Sequence, residues 1–306
     1  MSAPECGLLS GVFPVLPTPF DPAGQPDAAG LRRLVDYLVR AGVDGITYPG
    51  VASEVGNLTP AERTRLTTVV LEQVAGRVPV IVGASNPDPA VSIALGRAAP
   101  GASALMIAGP ADRPEVAAQV AYFSEVAAAL PGVPIMLQNV PPPAGAGLDP
   151  ALVVDLLRAV PALRYVKEEA LPSGQRLSLL RARGPASLAG VFGGAGGRYI
   201  VDELRRGALG TMPAIELAEV HVALLRAWRA DDQARARLLF ARMLPILNAQ
   251  AVFRWALTKH VLRRRGLIAH DGQRAAGPRL DDLDRAEVDA FLGDIADLLL
   301  PDYPLA

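Results

Sequence analysis

Lysine is almost absent from this chain. Of its 30 Lys and Arg residues only Lys167 and Lys259 are lysines. A guanidinium stays protonated and serves surface charge and ion pairs, whereas an amine can lose its proton on desolvation and attack a carbonyl carbon. Lys167 stands in LRYVKEEALP (163–172), a run with the composition of a strand. Side chains alternate along a strand, so Lys167 shares a face with Tyr165 and with Glu169, while Glu168 points the other way. An amine on the inner face of an apolar enclosure is placed to form an imine with a ketone, and a carboxylate beside it is placed to move protons at the neighbouring carbon. A plainer reading fits the same residues: a snorkelling or paired lysine in a structural ion pair with Glu168 or Glu169. The residues alone leave both open.

A strand that aims these groups inward needs neighbours on both sides. Short apolar runs rich in β-branched residues recur at 12–16, 45–49, 78–84, 104–109, 134–140, 163–168, 188–193 and 209–213, with stretches of helical periodicity between them. Eight strands alternating with helices predict a parallel α/β sheet closed as a (β/α)8 TIM barrel, in which catalytic groups sit at the C-terminal strand ends and in the loops that follow. An open doubly wound sheet is the alternative, but no GxGxxG follows the first strand. Strand signals cease near residue 216. The expected organisation is a barrel carrying the active site over 1–215 and a C-terminal helical extension over 216–306, with Trp228 and Trp255 serving packing and oligomer surface.

The loop after the second strand, PGVASEVGNLTP (49–60), combines glycines, Ser53 and backbone N–H groups at the expected barrel mouth. Such a turn suits an anionic carboxylate, although glycine is common in any turn of this kind. Glu54 reads as a brace of that loop more than as a proton carrier.

Composition narrows the partners. With 31 acidic against 30 basic residues and a net charge of −1, the chain has no field to attract nucleic acid. A single cysteine, Cys6, excludes an intrachain disulfide, and the three histidines, His221, His260 and His270, all follow the last strand, which leaves little basis for a metal site. No apolar run approaches the ~20 residues of a membrane span and no charged leader precedes an apolar core, so a cytoplasmic protein is expected.

Taken together, GVFPVLPTPFD (11–21), GVASE (50–54), PIMLQNVP (134–141), YVKEEA (165–170) and GTMPA (210–214) resemble, in kind and order, the dihydrodipicolinate synthase and N-acetylneuraminate lyase family. The resemblance implies a lyase that forms an imine between Lys167 and a 2-keto acid, without metal or cofactor, and a homo-oligomer, tetramer or dimer. Departures point to the branch. The family's aldolases carry tyrosine at the position of Gln138, and an amide cannot donate a proton as a phenol does. The synthase's second-carboxylate arginine aligns near Pro143, where no basic residue stands, and this disfavours dihydrodipicolinate synthesis. Ser53–Glu54, Gln138 and Glu169 match the branch that dehydrates L-2-keto-3-deoxyarabonate, while Asn139 departs from it. The expected catalytic residues are therefore Lys167, Glu169 and Gln138, with Gly50, Ala52, Ser53, Glu54, Asn139 and Met212 as substrate-binding positions. The expected reaction is dehydration of a 2-keto-3-deoxy sugar acid. Retro-aldol cleavage and non-catalytic keto-acid sensing are the alternatives.

Overall fold

The computed structural model describes residues 7–305; Cys6 lies outside them. All eight predicted strands form: β1 Gly11–Val12, β2 Ile46–Tyr48, β3 Val80–Gly83, β4 Ala104–Ala108, β5 Ile135–Asn139, β6 Leu163–Glu168, β7 Gly190–Gly193 and β8 Gly210–Thr211. They pair in parallel in the order β1-β8-β7-β6-β5-β4-β3-β2. The ring closes through a parallel bridge between Val15 and Thr47, where Leu16 N donates to Thr47 O at 3.0 Å and Thr47 N to Pro14 O at 2.9 Å. The first and last strands are shorter than their apolar runs. Pro14 and Pro213 lack the N–H that would continue a regular ladder, although Val15 N still reaches Pro213 O at 2.7 Å.

Helices α1 Ala28–Ala41, α2 Pro60–Val74, α3 Pro89–Arg97, α4 Val116–Ala129, α5 Pro150–Ala159, α6 Ser173–Arg183, α7 Ile200–Arg205 and α8 Ala218–Arg229 follow the strands in turn. Their starts are written locally. α2, α3 and α5 begin on proline, whose fixed φ suits the first helical turn. Thr59 and Glu62 cap α2 reciprocally at 3.2 and 2.8 Å.

Alternation sorts the strand residues into two cores, because a parallel barrel is buried on both faces. Phe13, Ile81, Ala104, Met106, Met136, Tyr165, Phe192 and Met212 fill the barrel interior, while Val12, Val82, Leu137, Val166 and Val191 face the helices. The interior packing places Tyr165 inward and thereby fixes the inward face for Lys167.

α8, which the sequence reading assigns to the extension, packs as the eighth outer helix. Its Glu219 accepts the Tyr37 hydroxyl of α1, and Arg229 pairs with Asp44 at 3.1 Å. Beyond it lie α9 Gln233–Phe253, α10 Trp255–Arg264 and α11 Asp282–Asp294. Among the described residues, no helix is long and apolar enough to cross a membrane.

Candidate active site

Lys167 lies near the C-terminal end of β6, 4% exposed, with Nζ 3.1 Å from Glu169 Oε1. Glu169 Oε2 accepts from Gln138 Nε2 at 2.7 Å, and Oε1 receives Ala195 N–H at 3.4 Å. Gln138 stands beside Lys167 in the β5–β6 register, so period-two alternation on two adjacent strands assembles all three side chains. Burial alone would push the Glu169 pKa up. The Lys167 charge, the Gln138 amide and the Ala195 N–H outweigh it and hold the carboxyl below its ordinary value. Glu169 is thus an anion beside an amine. Gly194 makes the room: a Cβ there would lie 2.5 Å from Glu169 Cγ.

The next residue of each strand faces outward. Glu168 accepts from Asn139 Nδ2 at 2.9 Å and from Arg176 Nε at 3.1 Å, and Asn139 Oδ1 receives Leu148 N–H at 2.9 Å. Asn139, expected to bind substrate, braces the loop after β5 instead. The β2 loop differs from expectation in a similar way. Ser53 is fully buried in a 3-10 turn; its Oγ donates to Leu16 O and accepts from Gly50 N at 2.8 Å. Its single donor is spent inside the loop. Gly50 packs against Val15, whose Cγ1 would lie 2.7 Å from a Cβ. Glu54 ion-pairs with Lys259 and accepts Arg274 N–H at 2.7 Å and Ala275 N–H at 2.6 Å, which makes it the brace its context suggests.

Lys167 and Glu169 open into a cavity of about 130 Å3 whose wall includes Ala52 from the β2 loop and Met212 after β8. Of the nine expected site residues, the structure brings Lys167, Glu169, Ala52 and Met212 to this space, and Gln138 reaches it through Glu169. Gly50, Ser53, Glu54 and Asn139 support the surrounding loops.

The wall also includes Arg198 in the loop after β7 and Gln250, Arg254 and Thr258 at the α9–α10 junction, to which the sequence assigns no role, and Trp255, which is expected to serve packing and oligomer surface and lines the cavity instead. Trp255 Nε1 donates to Val51 O at 2.8 Å, and Arg198 Nη1 to Gln250 Oε1 at 3.0 Å. Ala195 and Arg254, both on the wall, hold left-handed φ values of 50° and 44°, a conformation that costs a non-glycine residue on the order of 1–2 kcal/mol and persists where packing over-determines it. The run GGAGG (193–197) at a C-terminal strand end was the one available signal for the β7 loop. Among the described residues, no group of three or more His, Cys, Asp or Glu side chains could hold a metal ion.

Comparison with known proteins gives this geometry its lineage. Residues 8–292 match the model of the dihydrodipicolinate synthetase family. The chain is 31% identical over 297 residues to an L-2-keto-3-deoxyarabonate dehydratase of Azospirillum brasilense, covering 95% of this chain and 96% of that protein. It is 33% identical over 281 residues to a 4-hydroxy-tetrahydrodipicolinate synthase of Thermus thermophilus, covering 89% and 91%. A prophage protein of E. coli K12 belonging to the dihydrodipicolinic acid synthase family, solved in complex with pyruvate, superposes with a TM-score of 0.87 at 26% identity over 96% of this chain and 100% of that one. An enclosed lysine on the sixth strand of a closed (β/α)8 barrel thus accompanies a family match along nearly the whole chain, and the protein belongs to the dihydrodipicolinate synthetase family as a class I lyase.

Proposed function

We propose that this lyase dehydrates a 2-keto-3-deoxy sugar acid through an imine on Lys167. The observation that carries the reading is the arrangement of Lys167, Glu169 and Gln138: an enclosed amine 3.1 Å from a carboxylate whose other oxygen is held by an amide at 2.7 Å. Likeness to a keto-deoxy-arabonate dehydratase over 95% of the chain supports it.

Lys167 Nζ attacks the C2 ketone and loses water to give a protonated imine, which draws electron density from C3. Glu169, ionised and adjacent, takes a C3 proton, and the resulting enamine expels the C4 hydroxyl. Hydrolysis of the imine then frees the lysine. The Gln138 amide fixes the carboxylate and supplies no proton of its own. With the Ser53 hydroxyl engaged inside its loop, the substrate carboxylate meets the backbone at Val51–Ala52, and Arg198 and Arg254 on the cavity wall favour an anionic substrate.

Several relatives are named for synthase activity, and that reading competes on descent. Gln138, in the place of a proton-relaying phenol, weighs against it. Borohydride reduction in the presence of pyruvate or of a 2-keto-3-deoxy sugar acid, followed by peptide mass spectrometry, tests the imine. An adduct on Lys167 with the sugar acid, together with a dehydrated product and no pyruvate release, is the expected result. Pyruvate release identifies retro-aldol cleavage instead, and failure to trap either compound removes the imine.

A further inference from the structure

A carboxyl with no part in the steps above lies behind the cavity wall. Glu216 follows Met212, Pro213 and Ala214, the wall residues after β8, and is 2% exposed. Its Oε2 accepts the Thr258 hydroxyl at 3.1 Å, and Thr258 reaches the same cavity as Lys167 and Glu169. An acid and the hydroxyl it contacts therefore lie at the edge of the reaction space.

Dehydration creates a demand at this point. Hydroxide is a poor leaving group, and the C4 oxygen departs readily only as water, so a proton must reach it as the C4–O bond breaks. Glu169 carries the C3 proton by the time C4–O breaks and can return it only to a C4 hydroxyl on the face from which it took that proton; a hydroxyl leaving from the other face needs a second donor. We propose that Thr258 is a catalytic residue that hands this proton to the C4 oxygen, and that Glu216 is the positioning residue and proton source behind it; this rests on the dehydratase reading above. The C3–H electron pair becomes the C2–C3 double bond of the enamine as Glu169 takes the proton. The enamine then forms the C3–C4 double bond and breaks C4–O. When Glu216 is protonated the 3.1 Å contact reverses, Glu216 donating to Thr258 Oγ1 and the Thr258 hydrogen turning to the substrate; the oxygen leaves as water with that hydrogen, and the Glu216 proton refills Thr258. Glu169 releases the C3 proton to solvent and Glu216 regains one, so no proton is consumed over the cycle.

The surroundings of Glu216 suit a proton donor. Burial pushes its pKa up to about 7, against hydrogen bonds from its own backbone and Thr258 and the charge of Arg198, which is itself tied to Gln250. Arg265 touches the backbone of Glu216 at 3.5 Å, while its Nη2 is turned to Glu219 at 2.5 Å. Glu216 thus keeps a protonated population near neutrality.

The bland alternative is a staple that only fastens α10 to the loop after β8. Thr258→Val, Thr258→Ser and Glu216→Gln separate the two, measured as dehydration kcat per borohydride-trapped Lys167 imine so that misfolded molecules drop out of the comparison. Thr258→Val and Glu216→Gln are expected to lower this normalised kcat roughly a hundredfold, with Thr258→Ser retaining most of it. Wild-type kcat should fall as pH rises through about 7, and Glu216→Gln should abolish that limb. Normalised rates and pH limbs equal to wild type in all three variants would overturn the relay while leaving the dehydratase intact. A wild-type enzyme that traps the sugar acid yet yields no dehydrated product overturns both readings.

Discussion

The chain's two lysines are both buried and both paired with glutamate, yet they occupy opposite kinds of environment. Lys259 has no exposed surface. Its Nζ meets Glu54 and donates to Gly272 O at 2.8 Å, with the Phe20 ring centroid 4.2 Å away. Burial holds its pKa below the ordinary lysine value, outweighing the attraction of Glu54. Lys167 has a similar partner at 3.1 Å but looks into open space. Lowered basicity does not by itself make Lys259 a nucleophile, because Glu54, the Gly272 carbonyl and the Phe20 ring close in on its Nζ. Pairing and burial are common to fasteners and reactive centres. Access to space separates them.

That contrast can be broken most directly by exchanging the lysines' roles. Lys167→Arg keeps the charge and cannot form an imine; turnover is expected to fall at least roughly a thousandfold without unfolding the barrel, read by steady-state kinetics beside circular dichroism. Lys259→Met should show the inverse pattern. Leaving Glu54 buried and unpaired costs about 3–5 kcal/mol in denaturant unfolding, and the double variant Lys259→Met/Glu54→Leu should recover much of it. Equal stability losses at both lysines would erase the distinction.

Glu203 supplies a third case, a buried acid with no cation partner among the described residues. Ser173 Oγ donates to it at 2.7 Å, and burial pushes its pKa up to about 7 from 4.5. The folded state thus holds a proton that the unfolded chain has released. Its stabilisation is complete below about pH 4.5 and is lost as pH rises through about 7, a swing of about 3 kcal/mol. Glu216 acts in the same direction. His221, buried and lowered from 6.5 to about 4, acts oppositely: its contribution is present above about pH 6.5 and is lost as pH falls toward 4. Melting curves between pH 6.5 and 8 therefore isolate the acids, and Glu203→Gln should flatten the slope there. A smaller effect tests the open pair itself. Gly194→Ala would press on the Glu169 side chain and is expected to lower kcat about tenfold to a hundredfold, with little change in melting temperature.

How much of this was legible depended on the distance over which each relation acts. Lys167, Glu169 and the outward Glu168 follow from period-two alternation inside one strand, and the eight strands from local apolar runs. The bond of Ser53 to Leu16 O was not legible, because it depends on a 3-10 turn that rotates the hydroxyl inward, a torsional detail that composition does not carry. Thr258, Arg254 and Trp255 could not be placed from the sequence: the bond between Trp255 and Val51 spans 204 positions, and the pair of Lys259 with Glu54 spans 205. Nothing in the periodicity of α10 says which loop it covers. α8 fell outside the expected barrel because strand signals stop before it, although the eighth helix of such a ring has no strand after it.

The union of α10 with the β2 loop also fixes when the cavity can exist. As the chain is synthesised, the strand carrying Lys167 emerges well before Trp255 and Thr258. A chain that has not yet reached α10 therefore carries Lys167 without the wall that Arg254, Trp255 and Thr258 supply. Ribosome-bound or truncated intermediates ending before α10 carry the amine but lack the enclosure, so the order of translation keeps the complete reaction space for the nearly finished chain.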